Sequence, residues 1–218
     1  MATYVGTTVG VASVTRTLTV GNGATYHSKW ENGATPSASF TSGGNTWTLQ
    51  QSVLWSPGNQ PGSAFYTCLS ITTGGSIVTT PTFSAGSPTF QHGEIIEFTP
   101  TAGQIFALDV LATAVQGTGT GAGFTYNAVS ATASAAGFAV FGVSDFNTII
   151  YSSAGGTPAF TVQGAVFNGD SFSAFAVTSS GSVAPSVSAS GGTTQWIQQL
   201  ILVKETPANP TAIAWLTA

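Results

Sequence analysis

Charge is the scarcest commodity in this chain. Only 5% of its 218 residues are Asp, Glu, Lys or Arg, where ordinary domains carry about a quarter. The cations are Arg16, Lys29 and Lys204, against seven acids, for a net charge near -4. Phosphate backbones are bound by clustered Lys and Arg that displace counterions. Three scattered cations cannot do this, so nucleic acid is excluded as a direct partner. Polybasic attachment to a membrane fails for the same reason.

Cysteine, histidine and long apolar runs are equally scarce. Cys68 stands alone, so no intrachain disulfide can form, and the fold must rest on its core. His27 and His92 are the only imidazoles, too few with one cysteine to ligate a structural zinc. No Gly-x-Ser-x-Gly elbow occurs, so the sequence offers no nucleophile setting of the hydrolase kind. No run approaches the roughly eighteen apolar residues of a membrane helix. The start, Met1-Ala2-Thr3-Tyr4-Val5-Gly6, lacks the basic and apolar regions of a secretory signal.

What the chain does have is Ser, Thr, Gly, Asn and Gln, with short β-prone runs between glycine-rich turns. Gly21-Asn22-Gly23, Ser42-Gly43-Gly44-Asn45, Thr73-Gly74-Gly75 and Gly191-Gly192 punctuate it, and Gly and Asn tolerate the positive φ of tight turns. The pattern predicts strands over residues 10–20, 46–55, 64–71, 77–83, 94–99, 105–113, 137–143, 171–178, 183–190 and 195–203, with weaker candidates such as 25–30 and 124–133. In Phe65–Ile71, residues Phe65, Leu69 and Ile71 are expected on one core face. In Gln195–Val203, Trp196, Leu200 and Leu202 share one face and Ile197, Ile201 and Val203 the other, which predicts a central strand covered on both sides. The fold class expected is an all-β antiparallel sandwich, jelly-roll-like, over residues 1–205, with an extended tail over 206–218. No internal repeat is evident.

The order of motifs carries a resemblance. Gly44-Asn45-Thr46-Trp47-Thr48-Leu49 enters a strand, followed by the Phe65-Tyr66 strand, Thr72-Thr73-Gly74-Gly75, Glu94-Ile95-Ile96-Glu97-Phe98, Gly137–Gly142 and a closing Trp196 strand ending in Leu202-Val203-Lys204. Over residues 7–204 this resembles a jelly-roll-like β-sandwich domain of phage virion proteins and bacterial surface proteins. The resemblance implies a non-enzymatic structural or binding module. Its relatives often place an acid before the Gly-Asn-Thr-Trp turn; here Thr41-Ser42-Gly43 stands there, so a cation site by analogy lacks its acid.

The remaining chemistry is thin. Glu94 and Glu97 lie three apart in one strand and should face opposite sides, unlike the paired carboxyls of a glycosidase. No loop gathers the several oxygens of a calcium site. No catalytic residue, metal or cofactor is therefore expected. Trp47 and Trp196 read as core. Trp30 and Trp55 lie near turns and are the candidates for stacking on a glycan. Past Pro207 and Pro210, the apolar residues Ile213, Trp215 and Leu216 are candidates for docking on a neighbouring subunit, as an added strand.

The expected role is a virion structural protein, either capsid decoration (cement) or a related tail or fibre subunit. Its partners would be copies of itself and major capsid or tail subunits, held by multivalent contacts in a homo-oligomeric assembly. The alternative is an extracellular or cell-surface adhesin or carbohydrate-binding sandwich that takes a surface glycan.

Overall fold

The computed structural model describes residues 1–55, 62–118, 124–145, 150–162, 171–190 and 195–208. Among them there is no helix, and every ladder is antiparallel. The first half of the chain forms β1 (Thr3–Val11), β2 (Val14–Leu18), β3 (Gly23–Glu31), β4 (Thr35–Pro36), β5 (Ser39–Ser42), β6 (Asn45–Leu54), β7 (Gly62–Cys68), β8 (Gly75–Thr79), β9 (Phe83–Ala85) and β10 (Thr89–Thr99). The second half forms β11 (Gln104–Leu111), β12 (Val115–Gly117), β13 (Phe124–Tyr126), β14 (Ala131–Ala133), β15 (Gly137–Asp145), β16 (Ile150–Thr157), β17 (Thr161–Val162), β18 (Ser171–Thr178), β19 (Gly181–Ser190) and β20 (Trp196–Pro207).

These strands build a layered all-β sandwich. One central sheet runs β1-β10-β3-β7-β6-β5, and the other runs β11-β20-β15-β18-β17 with β12 also on β20. Outside the first lie the β2-β8 and β4-β9 ladders; outside the second lies β19 with β13, β14 and β16. Three apolar clusters fill the gaps. Tyr26, Trp47, Tyr66 and Ile95 pack with Val14, Leu18 and Ile77. Phe65, Ile96 and Phe98 meet Phe138, Val140, Ile201 and Val203 between the central sheets. Ala139, Phe141, Leu200 and Leu202 pack with Tyr126, Val183 and Val187. The central strands are therefore covered on both faces, and β3, β7 and β15 are buried along their whole length.

β20 divides as its sequence predicts. Trp196, Leu200 and Leu202 enter one core, while Ile201 and Val203 enter the inter-sheet core. β7 departs from expectation. Phe65 and Leu69 face the inter-sheet core, but Ile71 lies past the strand end in the other cluster, with Ala64, Tyr66 and Cys68. The run expected as one strand over 10–20 is broken at Ala12, which has φ 58°; Ser13 N–H donates to Val11 O there, and the chain leaves the central sheet for the outer ladder. The run 25–30, one of the weaker candidates, is the heart of a central strand. The run 124–133 is two short strands, both laid on β19.

The two halves share a plan that sequence reading did not detect. The strand orders β1-β10-β3-β7-β6 and β11-β20-β15-β18-β17 correspond term by term. Register makes the match residue by residue. Glu94 opposes His27, which opposes Phe65; Ile201 opposes Val140, which opposes Phe175. The next row, His92, Lys29 and Ser63, matches Gln199, Gly142 and Ser173. This places Ser63-Ala64-Phe65 on Ser173-Ala174-Phe175 and Thr99-Pro100 on Thr206-Pro207. In the outer ladders, Leu18 pairs with Gly75 as Ala133 pairs with Gly181, and both glycines have positive φ, 100° and 121°.

β20 runs through Pro207, and Ala208 N–H donates to Gly103 O. Ile213, Trp215 and Leu216 lie outside the described residues.

Candidate functional site

The polar residues that sequence reading passed over meet between the two central sheets. The pleat of β3 sends Tyr26, Trp30 and Ala24 into the outer core and turns His27 toward the second sheet. There its Nε2 lies 3.0 Å from Ser63 Oγ and 3.3 Å from Ser144 Oγ. Its Nδ1 lies 3.1 Å from Ser173 Oγ. Ser63 Oγ donates to Gln199 Oε1 at 2.6 Å and accepts from Ser144 Oγ at 2.9 Å. Glu94, beside His27 on β10, hydrogen-bonds Ser173, while its Oε1 has no hydrogen-bond partner.

Every member of this network is buried, with Ser63, Ser144, Ser173 and Gln199 fully closed to solvent. Burial fixes the protonation states. It holds the His27 pKa down to about 3, so the ring is neutral. It pushes Glu94 up to about 8, against the opposing pull of its bonds to Ser173. A hydroxyl, an imidazole and a carboxyl in contact satisfy the first geometric condition for nucleophilic catalysis. This set lacks the second, an open face at which a substrate could approach the hydroxyl. What it does is pair most of the polar groups of a buried layer, Glu94 Oε1 and Gln199 Nε2 excepted.

Gly142 makes room for it. A Cβ there would lie 2.5 Å from Phe65 Cζ and 3.0 Å from His27 Cε1. The ring of His27 stacks on Phe65, with centroids 4.6 Å apart. At the matching position of the first sheet stands Lys29, whose Nζ, fully buried, bonds Glu31 Oε1 at 2.9 Å.

Glu94 and Glu97 do point to opposite faces. Glu97 is in the outer layer, where Arg16 Nη2 bonds it at 3.0 Å, Asn22 Nδ2 donates at 2.8 Å and Thr19 N–H at 2.9 Å. Sequence separation hid this pair, since the partners are 81 residues apart. The other acids among the described residues are also engaged: Asp109 with Lys204 at 3.3 Å, Asp145 with the Tyr126 hydroxyl at 2.6 Å, and Glu205 with the N-terminal amine and Thr101 N–H. Among the described residues no three His, Cys, Asp or Glu side chains gather as a metal site would.

Trp30 requires a correction. It is buried at 1% exposure, its Nε1 donates to Ala34 O, and its ring meets Phe83 edge-on, so it is a core residue and cannot stack on a glycan. The cause is β3, which the turn-like sequence 27–32 disguises. Trp55 is half-buried at the end of the β6 segment. Trp47 and Trp196 are both core. Asn45 explains the Asn-Thr-Trp motif: its Oδ1 accepts from Thr72 and Thr73 N–H, and its Nδ2 donates to Thr73 O. The turn between β7 and β8 is thereby pinned to the start of β6. Cys68 is buried, and burial raises its thiol pKa, as fits a packing residue.

A groove lies along β6 and the end of β7. It has a volume of about 290 Å³ and is lined by Gly44, Thr46, Thr48, Gln50, Thr67 and Leu69 among others. Its hydroxyls and amide are neutral. The chain matches no protein-family model, no curated protein and no solved structure.

Proposed function

We propose that the chain is a non-enzymatic structural subunit of a virion, a capsid decoration protein or a related tail or fibre component, that assembles through neutral β surfaces. One observation carries this reading. The three cations are all tied to acids within the fold: Arg16 to Glu97, Lys29 to Glu31 and Lys204 to Asp109. Among the described residues the exposed surface is mostly Thr, Ser, Gly, Asn and Gln with scattered apolar residues, among them Val5, Val11, Val78 and Phe90. Like-charged surfaces keep copies of a protein apart, and this one has little such protection. Burying neutral groups in a contact also avoids the desolvation cost of buried ions. Weak contacts of this kind gain strength by repetition, which a particle lattice provides.

Residues 208–218, with Ile213, Trp215 and Leu216, are the segment proposed to dock on a neighbour. Native mass spectrometry of the full chain and of a variant lacking 208–218 tests this. The full chain is expected as an oligomer and the variant as a folded monomer, checked by circular dichroism. An oligomer that survives the deletion refutes the docking role; a full chain that is monomeric at every concentration refutes the assembly role.

The neutral groove at Thr46, Thr48, Gln50 and Leu69 favours a second reading, a glycan-binding surface module. Its hydroxyls and amide suit an uncharged polyol rather than an anion. Binding on an array of neutral glycans, lost in Gln50→Ala, would support that reading.

A further inference from the structure

Glu94 is a carboxyl group in a layer that offers it no counter-charge. Its face of β10 looks across to the second central sheet, where Ser173 bonds one of its oxygens and Oε1 has no hydrogen-bond partner. The titratable and charged groups around it can be named for each element packed against it. On β3 they are His27, Lys29 and Glu31, and the Lys29 ammonium is turned to Glu31. On β10 itself His92 is next along the same face. β1 contributes only Tyr4, whose ring packs on Phe98 and Phe175 and whose hydroxyl donates to Thr7 Oγ1. β15, β18 and β20 present Ser144, Ser173 and Gln199, all neutral. His27 cannot neutralise an anion without being protonated in the same dry layer.

The hydrogen atoms can be counted along this chain of groups. With Glu94 protonated, its O–H donates to Ser173 Oγ, and Ser173 Oγ–H donates to His27 Nδ1. His27 Nε2–H then donates to Ser63 Oγ, and Ser63 Oγ–H donates to Gln199 Oε1. Ser173 Oγ gives one hydrogen and takes one, Ser63 Oγ gives one and takes those of His27 and Ser144, and no charge is formed. The chain also crosses the inter-sheet layer three times: Glu94, His27 and Ser63 belong to the first central sheet, Ser173 and Gln199 to the second. Withdrawing the proton leaves a buried carboxylate with no cation bonded to it, an arrangement that low dielectric strongly penalises.

We infer that Glu94 is a proton-held latch between the two halves of the molecule, closed while the acid keeps its proton and released under mildly alkaline conditions. The direction of the linkage follows. In the unfolded chain Glu94 loses its proton near the ordinary carboxylate value, whereas in the folded chain burial delays that loss to about pH 8. Between those two values the folded state holds one more proton. Each unit rise in pH across that window therefore raises the unfolding constant about tenfold, and above it no further loss accrues from this group.

The test compares the full-length protein with Glu94→Gln. Glutamine keeps a donor for Ser173 Oγ and has nothing to titrate. Urea unfolding from pH 6.5 to pH 9 should show the tenfold-per-unit weakening up to about pH 8 in the wild type and not in E94Q. Binding of a hydrophobic dye at pH 9 should rise in the wild type and not in the variant. Infrared spectra of the wild type at pH 6 should carry the carbonyl stretch of a buried protonated carboxylic acid, which vanishes above pH 8. Equal alkaline weakening in both proteins overturns the latch. If E94Q does not fold, the infrared spectrum decides alone: no protonated-acid band at pH 6 overturns it. None of these readouts depends on assembly, so they succeed or fail independently of the proposed virion role.

Discussion

Ser63 and Ser173 hold the same position in the two central sheets and bind opposite nitrogens of one imidazole, that of His27. A single ring from the first half thus joins the corresponding points of both halves. The correspondence breaks at the ring itself, because the position equivalent to His27 is Val140 and that equivalent to Glu94 is Ile201. The polar chemistry of the inter-sheet layer therefore comes from one half, and the other supplies hydroxyls, an amide and apolar packing. Two identical faces could not make this contact.

Because both serines act through one ring, their effects should be coupled. Ser63→Ala and Ser173→Ala are each expected to cost about 1–3 kcal/mol, the penalty for stranding a buried polar partner. The double variant should depart from the sum by more than about 0.5 kcal/mol. Urea unfolding of the four proteins measures the coupling; strict additivity would mean that the ring does not link the two sites.

The buried ring also sets an acid limit. The folded pKa of His27 is lowered by burial to about 3 from 6.5, so its contribution is complete above about pH 6.5 and is lost as pH falls toward 3. Glu94 works in the opposite sense between about 4.5 and 8. The two slopes cancel from about 4.5 to 6.5, and stability should form a plateau there with a fall on each side. In His27→Gln the plateau should tilt, gaining stability toward acid, and the acid limb should lose one proton's worth of slope. An unchanged profile in that variant would mean the ring is charged in the folded protein.

Gly142→Ala places a methyl group against the Phe65 ring tip and the edge of His27. Overpacking of this kind costs about 1–3 kcal/mol, so a clear drop in melting temperature is expected. Gly142→Ala combined with Phe65→Leu should recover part of it, whereas a neutral single substitution would show that the layer is looser than described.

Arg16→Met removes the cation from Glu97, whose carboxylate is fully buried. Losing one partner of a buried pair costs about 3–5 kcal/mol, and Asn22 and the Thr19 N–H should hold the effect at the lower end. Arg16→Met with Glu97→Gln should restore most of the loss in urea unfolding, since the uncompensated charge goes with it.

The sequence carried the strands whose signals are local. β20 could be read because its two faces are both apolar, and Trp47 because Gly44-Asn45 marks the turn before it. The facing of Glu94 and Glu97 follows from the period of two. Other features were hidden for stated reasons. β3 gives only a weak strand signal over 25–30, His27–Asn32 being largely polar, because its inward face meets polar residues of the other sheet and not an apolar core. Trp30 was misread with it. The correspondence of the halves rests on Ser-Ala-Phe, Gly-Ser and Thr-Pro, short matches at unequal spacings that only the ladder registers align. The ion pair of Arg16 with Glu97 joins residues that no sequence window brings together.

We propose that this molecule pairs its three cations with acids within the fold and would meet partners through neutral surfaces. Sedimentation velocity of the full chain at about 0.05 M and about 1 M NaCl tests it most directly, since the screening length shrinks from beyond 10 Å to about 3 Å across that range. The account predicts an oligomer with the same mass distribution in both. An oligomer that dissolves in high salt would show that charge holds it together, and a monomer in both would show that these surfaces do not associate.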